Sequence, residues 1–147
     1  MQILTSTSSD ATLTRRVLVV DDEDDIREVA QLSLEIMAGW EVWSAPSGEE
    51  GIRIAETAHP DVILLDVMMP DMDGPTTFRQ LRANPKTRDI PVVLLTAKVR
   101  ARLVKQQFLP LGVRGVITKP FDATKLADQV AETVGWELIC NDPPEGM

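Results

Sequence analysis

Asp61-Val62-Ile63-Leu64-Leu65-Asp66-Val67-Met68-Met69-Pro70-Asp71-Met72-Asp73-Gly74 is the stretch on which the fold turns. The branched apolar run from Val62 to Leu65 is too short for a helix and reads as a strand buried on both faces, ending at a carboxylate. Asp66 therefore stands where a buried strand meets a loop. Pro70, Asp71, Asp73 and Gly74 supply the turn chemistry that carries the chain off the sheet.

The same design recurs on either side of this stretch. Val17-Leu18-Val19-Val20 runs into Asp21-Asp22, Pro91-Val92-Val93-Leu94-Leu95 into Thr96, and the segment from Val113 to Thr118 into Lys119-Pro120. Helical patterns separate these strands, and such alternation predicts an α/β fold with a doubly wound parallel sheet covered on both faces. All strand C-termini of a parallel sheet lie on one edge, so Asp21, Asp22, Asp66, Thr96 and Lys119 are delivered to a single rim, where open α/β sheets place their ligands.

A chain of 147 residues, 44% hydrophobic and 26% charged, is one domain's worth of ordinary globular sequence. Its net charge of −8 argues against nonspecific nucleic-acid binding and direct DNA binding. The single cysteine, Cys140, has no internal partner, which fits a reducing cytosol and a cytoplasmic protein. No run approaches the ~20 apolar residues of a membrane span, and Met1 to Thr14 lacks the basic start and apolar centre of a signal peptide.

In chain order, residues 1–14 read as a flexible Ser/Thr-rich arm, residues 15–135 as the folded domain and residues 136–147 as a short acidic tail. A first helix is predicted over Asp24 to Ala38, with Ile26, Val29, Ala30, Ser33, Ile36 and Met37 on its buried face and Gly39 as its stop. Glu23, Asp24 and Asp25 read as a solvated first turn that suits the helix dipole. Glu41-Val42-Trp43-Ser44 alternates as an edge strand does, and Ser47 with Glu50 has capping-box spacing for a second helix to about Ala58. The lone His59 reads as a surface loop residue. A third helix follows Gly74-Pro75 with Phe78 and Leu81 inward, and Lys86-Thr87-Arg88-Asp89 reads as a polar loop. A fourth, about Arg100 to Leu109, turns Leu103, Val104 and Phe108 inward. A fifth is capped by Asp122 and carries Leu126, Val130 and Val134, with Gly135 ending it.

Three carboxylates on one rim repel one another, and a hard divalent cation relieves that repulsion: Mg²⁺ takes oxygen ligands and keeps room for water and a phosphate oxygen. Asp21, Asp22 and Asp66 fit that role, and a backbone carbonyl just past Asp66 could join them. Lys119 and Thr96 add a cation and a hydroxyl suited to phosphate oxygens, the groups that phosphoryl transfer needs. Asp66, ending the strand expected beside the first, is the candidate nucleophile for an acyl phosphate.

Asp21-Asp22, Asp66 with Met69-Pro70-Asp71-Met72-Asp73-Gly74 behind it, Thr96-Ala97 and Lys119-Pro120-Phe121 together resemble the receiver domain of bacterial two-component response regulators, from about Arg16 to Val134. The resemblance implies a flavodoxin-like sheet of five parallel strands, order 2-1-3-4-5, with five helices. It implies that Asp66 accepts a phosphoryl group from the phosphohistidine of a sensor histidine kinase or histidine phosphotransfer protein. On the same ground Asp21, Asp22, Asp66 and the backbone carbonyl of Met68 hold Mg²⁺ or Mn²⁺, Thr96 moves to bond the phosphoryl group, Lys119 pairs with it, and the Lys119-Pro120 bond is cis. Two features depart from the family pattern: Val116 stands where an aromatic switch residue is usual, and Pro110-Leu111 interrupts the end of the fourth helix. Met68 and Lys98, each two residues past a site residue, are expected to flank the attacking water and set the phosphoryl lifetime.

With no helix-turn-helix or catalytic unit in the tail, the sequence reads as a stand-alone receiver, a signalling phosphoacceptor rather than an enzyme. It is expected to act as a monomer or weak dimer through phosphorylation-dependent docking or a phosphorelay. The expected partner face is the fourth helix, fifth strand and fifth helix, made basic by Arg100, Arg102, Lys105 and Arg114, which suits an acidic partner. Two alternatives compete: a pseudo-receiver that binds without phosphorylation, disfavoured by the complete set of site residues, and an aspartyl-phosphate hydrolase, disfavoured because Met68 occupies the place of its second acid. No P-loop or dinucleotide fingerprint is present.

Overall fold

The computed structural model describes residues 14–70 and 72–136. Strands β1 (Arg16–Val20), β2 (Glu41–Ala45), β3 (Val62–Asp66), β4 (Val92–Ala97) and β5 (Gly115–Lys119) form one parallel sheet in the order β2-β1-β3-β4-β5, as expected. Helices α1 (Asp24–Ala38), α2 (Gly48–Ala58), α3 (Gly74–Ala83), α4 (Ala101–Phe108) and α5 (Leu126–Val134) connect and cover them. The expected arm and tail lie outside the described residues except for Thr14 and Trp136 at their edges, as does Asp71 in the turn after β3.

Side chains alternate across a strand, so each strand feeds two cores. Val17, Val19, Leu64, Val93 and Leu95 pack under α1 and α5, against Leu34, Leu126 and Val130. Leu18, Val20, Ile63, Leu65 and Leu94 pack under α2, α3 and α4, against Ala55, Phe78, Leu81, Val104 and Phe108. β3 is buried along its whole length, which is why its sequence shows no polar alternation. No helix among the described residues is long and apolar enough to cross a membrane.

Local signals set the helix ends. The Ser47 hydroxyl accepts from the Glu50 amide at 3.2 Å, Asp73 accepts from the Thr76 amide at 2.9 Å, and Gly39 ends α1 with φ of 70°. At the N-terminal pole of the sheet Trp136, just past α5, packs edge-on against Trp40 at 5.3 Å, and the Arg15 guanidinium lies 4.6 Å from the Trp136 ring centre.

Four expectations are corrected. On α1 the core is met by Ala30, Ser33 and Leu34, while Val29, Ile36 (75% exposed) and Met37 face outward with Leu32. Leu34 fills the centre of the contact between the small Ala30 and Ser33, and the other large apolar residues are left on the flank of the helix. On α4, Ala101 replaces Leu103 in the core, and the helix is flanked by 3₁₀ turns at Lys98–Arg100 and Leu109–Leu111, the second holding the anomalous Pro110. Asp122 accepts from the amide of Thr124 at 2.9 Å and so closes a turn, with α5 beginning at Leu126. The segment Lys86 to Asp89 is not simply a polar loop: Thr87 is buried and its hydroxyl donates to the Leu81 carbonyl at 2.7 Å, sealing the end of α3.

Candidate functional site

The strand order fixes the layout of the rim. Asp66 ends β3, between β1, which delivers Asp21 and Asp22, and β4, which delivers Thr96. Lys119 ends β5, where it is the register partner of Ala97, and its side chain crosses back over the rim. Its ammonium lies 3.1 Å from Asp66 Oδ1, 3.0 Å from Asp21 Oδ2 and 3.3 Å from Glu23 Oε1. All the residues expected at the rim are thereby brought together, and Lys119-Pro120 is a cis peptide.

Backbone contacts hold these groups in place. The Asp21 amide donates to the Ala45 carbonyl at 3.1 Å, and Arg27 Nη1 donates to the Asp21 carbonyl at 2.7 Å. Asp21 Oδ1 accepts from the Glu23 amide at 2.9 Å. Behind Asp66, the Gly74 amide donates to the Val67 carbonyl at 3.0 Å, and a Cβ at position 74 would run into the Asp66 carbonyl oxygen, so this close approach requires glycine. The Ser33 hydroxyl on α1 donates to the Ala123 carbonyl, fastening the loop between β5 and α5.

Burial governs the charges. Asp66 is 2% exposed and Asp21 fully buried. Desolvation, with the charge of Asp21 added, raises the Asp66 carboxyl pKa to about 6, although hydrogen bonds from Lys119 and the Met68 backbone and the Lys119 charge oppose the rise. Burial alone would lower the Lys119 pKa, but the hydrogen bonds and charges of Asp21 and Asp66 outweigh it and hold the ammonium above the usual lysine range.

One carboxylate oxygen from each of Asp21, Asp22 and Asp66 can lie within 4.8 Å of the others. This all-oxygen, anionic donor set fits Mg²⁺ or Mn²⁺. Beside it, Thr96 is 1% exposed and its hydroxyl has no hydrogen-bond partner among the described residues, a costly arrangement for a buried donor unless an incoming oxygen completes it. Both open into a cleft of about 380 Å³ lined by Asp22, Glu23, Asp66, Met68, Thr96, Ala97, Arg100 and Lys119.

Three residues at the site were read differently from sequence. Glu23, read as part of a solvated turn, stays largely exposed yet pairs with Lys119. Arg27 was not singled out, although a lone cation on a strongly acidic helix start is a visible signal. Lys98 is not among the residues lining the cleft; Arg100 is. The 3₁₀ turn after β4 ends in Arg100, which stays exposed while lining the cleft. Val116 is half-buried against the second core.

The family model described as "Response regulator receiver domain" matches residues 17–131. Among curated proteins, the chain is 38% identical over 115 residues to the DNA-binding dual master transcriptional regulator RpaA of Synechocystis, covering 78% of this chain and 47% of that protein. The chain spans about half the length, or less, of the curated relatives it matches. Among solved structures, the chemotaxis response regulator CheY4 of Vibrio cholerae superposes with a TM-score of 0.74 at 32% identity, over 82% of this chain and 98% of that one. The receiver domain of the sensor histidine kinase PA1611 from Pseudomonas aeruginosa, described with a magnesium ion coordinated in its active site cleft, gives 0.71 at 27% identity, over 83% of this chain and 98% of that one.

Proposed function

The chain belongs to the response regulator receiver domain family, and from that premise we propose that Asp66 accepts a phosphoryl group from the phosphohistidine of a sensor histidine kinase or a histidine phosphotransfer protein. The observation that carries this reading is the position of Asp66: a buried carboxylate between an acidic cluster on β1 and an unpartnered hydroxyl on β4, with Lys119 at 3.1 Å.

An ionised Asp66 oxygen attacks phosphorus as the phosphorus–nitrogen bond to the donor imidazole breaks; an acyl phosphate forms and the imidazole leaves with the electron pair. With a carboxyl pKa of about 6, Asp66 is mostly ionised at neutral pH and so available as the nucleophile. Lys119 stays cationic throughout and offsets charge on the phosphoryl oxygens, while the Thr96 hydroxyl donates to one of them. Asp21, Asp22 and Asp66, with the backbone carbonyl of Met68, would hold Mg²⁺ or Mn²⁺, which would supply charge neutralisation for the phosphoryl oxygens.

The chemistry is confined to the protein's own phosphorylation and dephosphorylation, and signalling in the cytoplasm follows by phosphorylation-dependent docking or relay. The surface of α4, β5 and α5 is the partner face in this reading. Arg102, Lys105 and Arg114 are exposed there, with Val99 (89% exposed) and Leu103 among them, a mixture suited to an acidic protein partner with an apolar anchor.

Intact mass after incubation with Mg²⁺ and acetyl phosphate, run beside Asp66→Asn, tests the reading. The expected result is a phosphoryl adduct on the wild type that needs the metal and is missing in the variant. An adduct that persists in Asp66→Asn would refute the assignment. Protein that takes no adduct from acetyl phosphate or from a phosphorylated kinase, and does not bind beryllofluoride, would favour a binding module that works without phosphorylation.

A further inference from the structure

Asp66 divides the cleft into two halves of opposite character. On the β1 side stand Asp21, Asp22 and Glu23; on the β4 side stand Thr96, Ala97 and Arg100. The two cations that line the cleft are used differently. Lys119 is committed to three carboxylates, whereas Arg100 has no carboxylate within ion-pair distance among the described residues, although Asp22 and Glu23 line the same cleft. Arg100 is exposed, so its long side chain is able to swing over the mouth.

We infer that Arg100 is the phosphate-binding cation at the mouth of the site. Its guanidinium takes the oxygens of the incoming phosphodonor, and then of the acyl phosphate, from the side of Asp66 opposite the acidic cluster. This inference rests on the phosphoacceptor reading of Asp66. Three observations converge on it. The chain carries a net charge of −8, and its site is lined by carboxylates, so an anionic donor approaches against an unfavourable field that a cation at the mouth locally reverses. The neighbouring Thr96 hydroxyl, buried without a partner, marks this same half of the cleft as the half that accepts an oxygen. A guanidinium presents a planar fork of donors that matches a phosphoryl group and stays charged at any working pH. The turn Lys98–Arg100 leads directly into α4, so engagement of Arg100 would also draw the start of α4 toward the site, linking occupancy of Asp66 to the partner face.

The test uses the full chain and small donors alone, so that a partner's acidic surface has no part in the result. Initial rates of adduct formation from acetyl phosphate with Mg²⁺ are measured by intact mass at low and high ionic strength for the wild type, Arg100→Gln, Arg100→Lys and, as an equal charge change on exposed α2, Arg53→Gln. Beryllofluoride affinity is measured on the same four proteins. For Arg100→Gln we expect a loss of roughly three- to tenfold at low ionic strength, a flatter salt dependence, and beryllofluoride binding weakened by a similar factor. Arg100→Lys is expected to recover part of the loss, and all four proteins to melt alike. Arg100→Gln that matches the wild type, or Arg53→Gln that falls as far, overturns this inference and leaves the acceptor reading standing. A wild type that takes no adduct and binds no beryllofluoride overturns both.

Discussion

Replacing Asp66 with Asn removes a charge that the fold buries against another carboxylate, and the effect on stability follows from the pKa of the group. Burial and the charge of Asp21 raise the Asp66 pKa from 3.8 to about 6 in the folded protein. A raised carboxyl pKa means that the folded state favours the protonated form. Between those two values the folded protein holds a proton that the unfolded chain has released, so stability falls as pH rises through this window, and the full penalty is present above about pH 6. The difference corresponds to about 3 kcal/mol. Asn mimics the neutral carboxyl and leaves Lys119 paired with Asp21. The variant should therefore match the wild type below about pH 4 and exceed it by about 3 kcal/mol at neutral pH, a rise of about 10 °C in Tm for a domain of this size. Thermal and urea melts of both proteins in chelator, across that pH range, measure the difference; taking the difference cancels the carboxylates that do not interact with Asp66. Added Mg²⁺ should stabilise the wild type more than the variant and narrow the gap. A variant less stable than the wild type at neutral pH, or a gap that does not change with pH, would refute this account of the site.

Lys119→Met leaves Asp21 and Asp66 buried together without their cation, and should cost about 3 kcal/mol in chelator at neutral pH, with a larger recovery on adding Mg²⁺ than the wild type shows; urea melts with and without metal report it. Gly74→Ala drives a methyl into the Asp66 carbonyl, and should destabilise by about 1–3 kcal/mol and slow adduct formation, both read on the purified variant. Met68 lines the cleft and Lys98 does not, so Met68→Ser should change the decay rate of the adduct more than Lys98→Ser does; equal decay in both and in the wild type would remove side chains at these positions from control of the phosphoryl lifetime.

The sheet was legible because β1, β3 and β4 are buried on both faces, and a continuous apolar run that ends in a polar residue announces both the strand and its rim. The rim residues came with it, since parallel strands leave no choice about which end they share. What periodicity could not resolve is rotation. On α1, Val29, Leu32 and Ile36 form an apolar stripe beside the face that packs, and only the rotation of the helix on the sheet selects Ala30, Ser33 and Leu34. The cleft shows the same effect at smaller scale. Whether Lys98 or Arg100 lines the cleft depends on the 3₁₀ turn between β4 and α4, a property of loop closure that leaves no repeating signal in the residues. Glu23 was hidden for another reason: acids at a helix start have a sufficient local explanation, and its partner lies 96 positions away.

The cluster of Trp40, Trp136 and Arg15 ties the end of α5 to the starts of β1 and β2. Thr14 and Trp136, the two ends of the described chain, both lie at the pole opposite the cleft, about 17 Å away across strands of five residues. The rim with its acidic cluster stands at one pole and both ends of the described chain at the other, with the flanking helices running between them. That arrangement suits a module found inside proteins of very different length, such as those in which the matched portion makes up 47% or 28% of the whole.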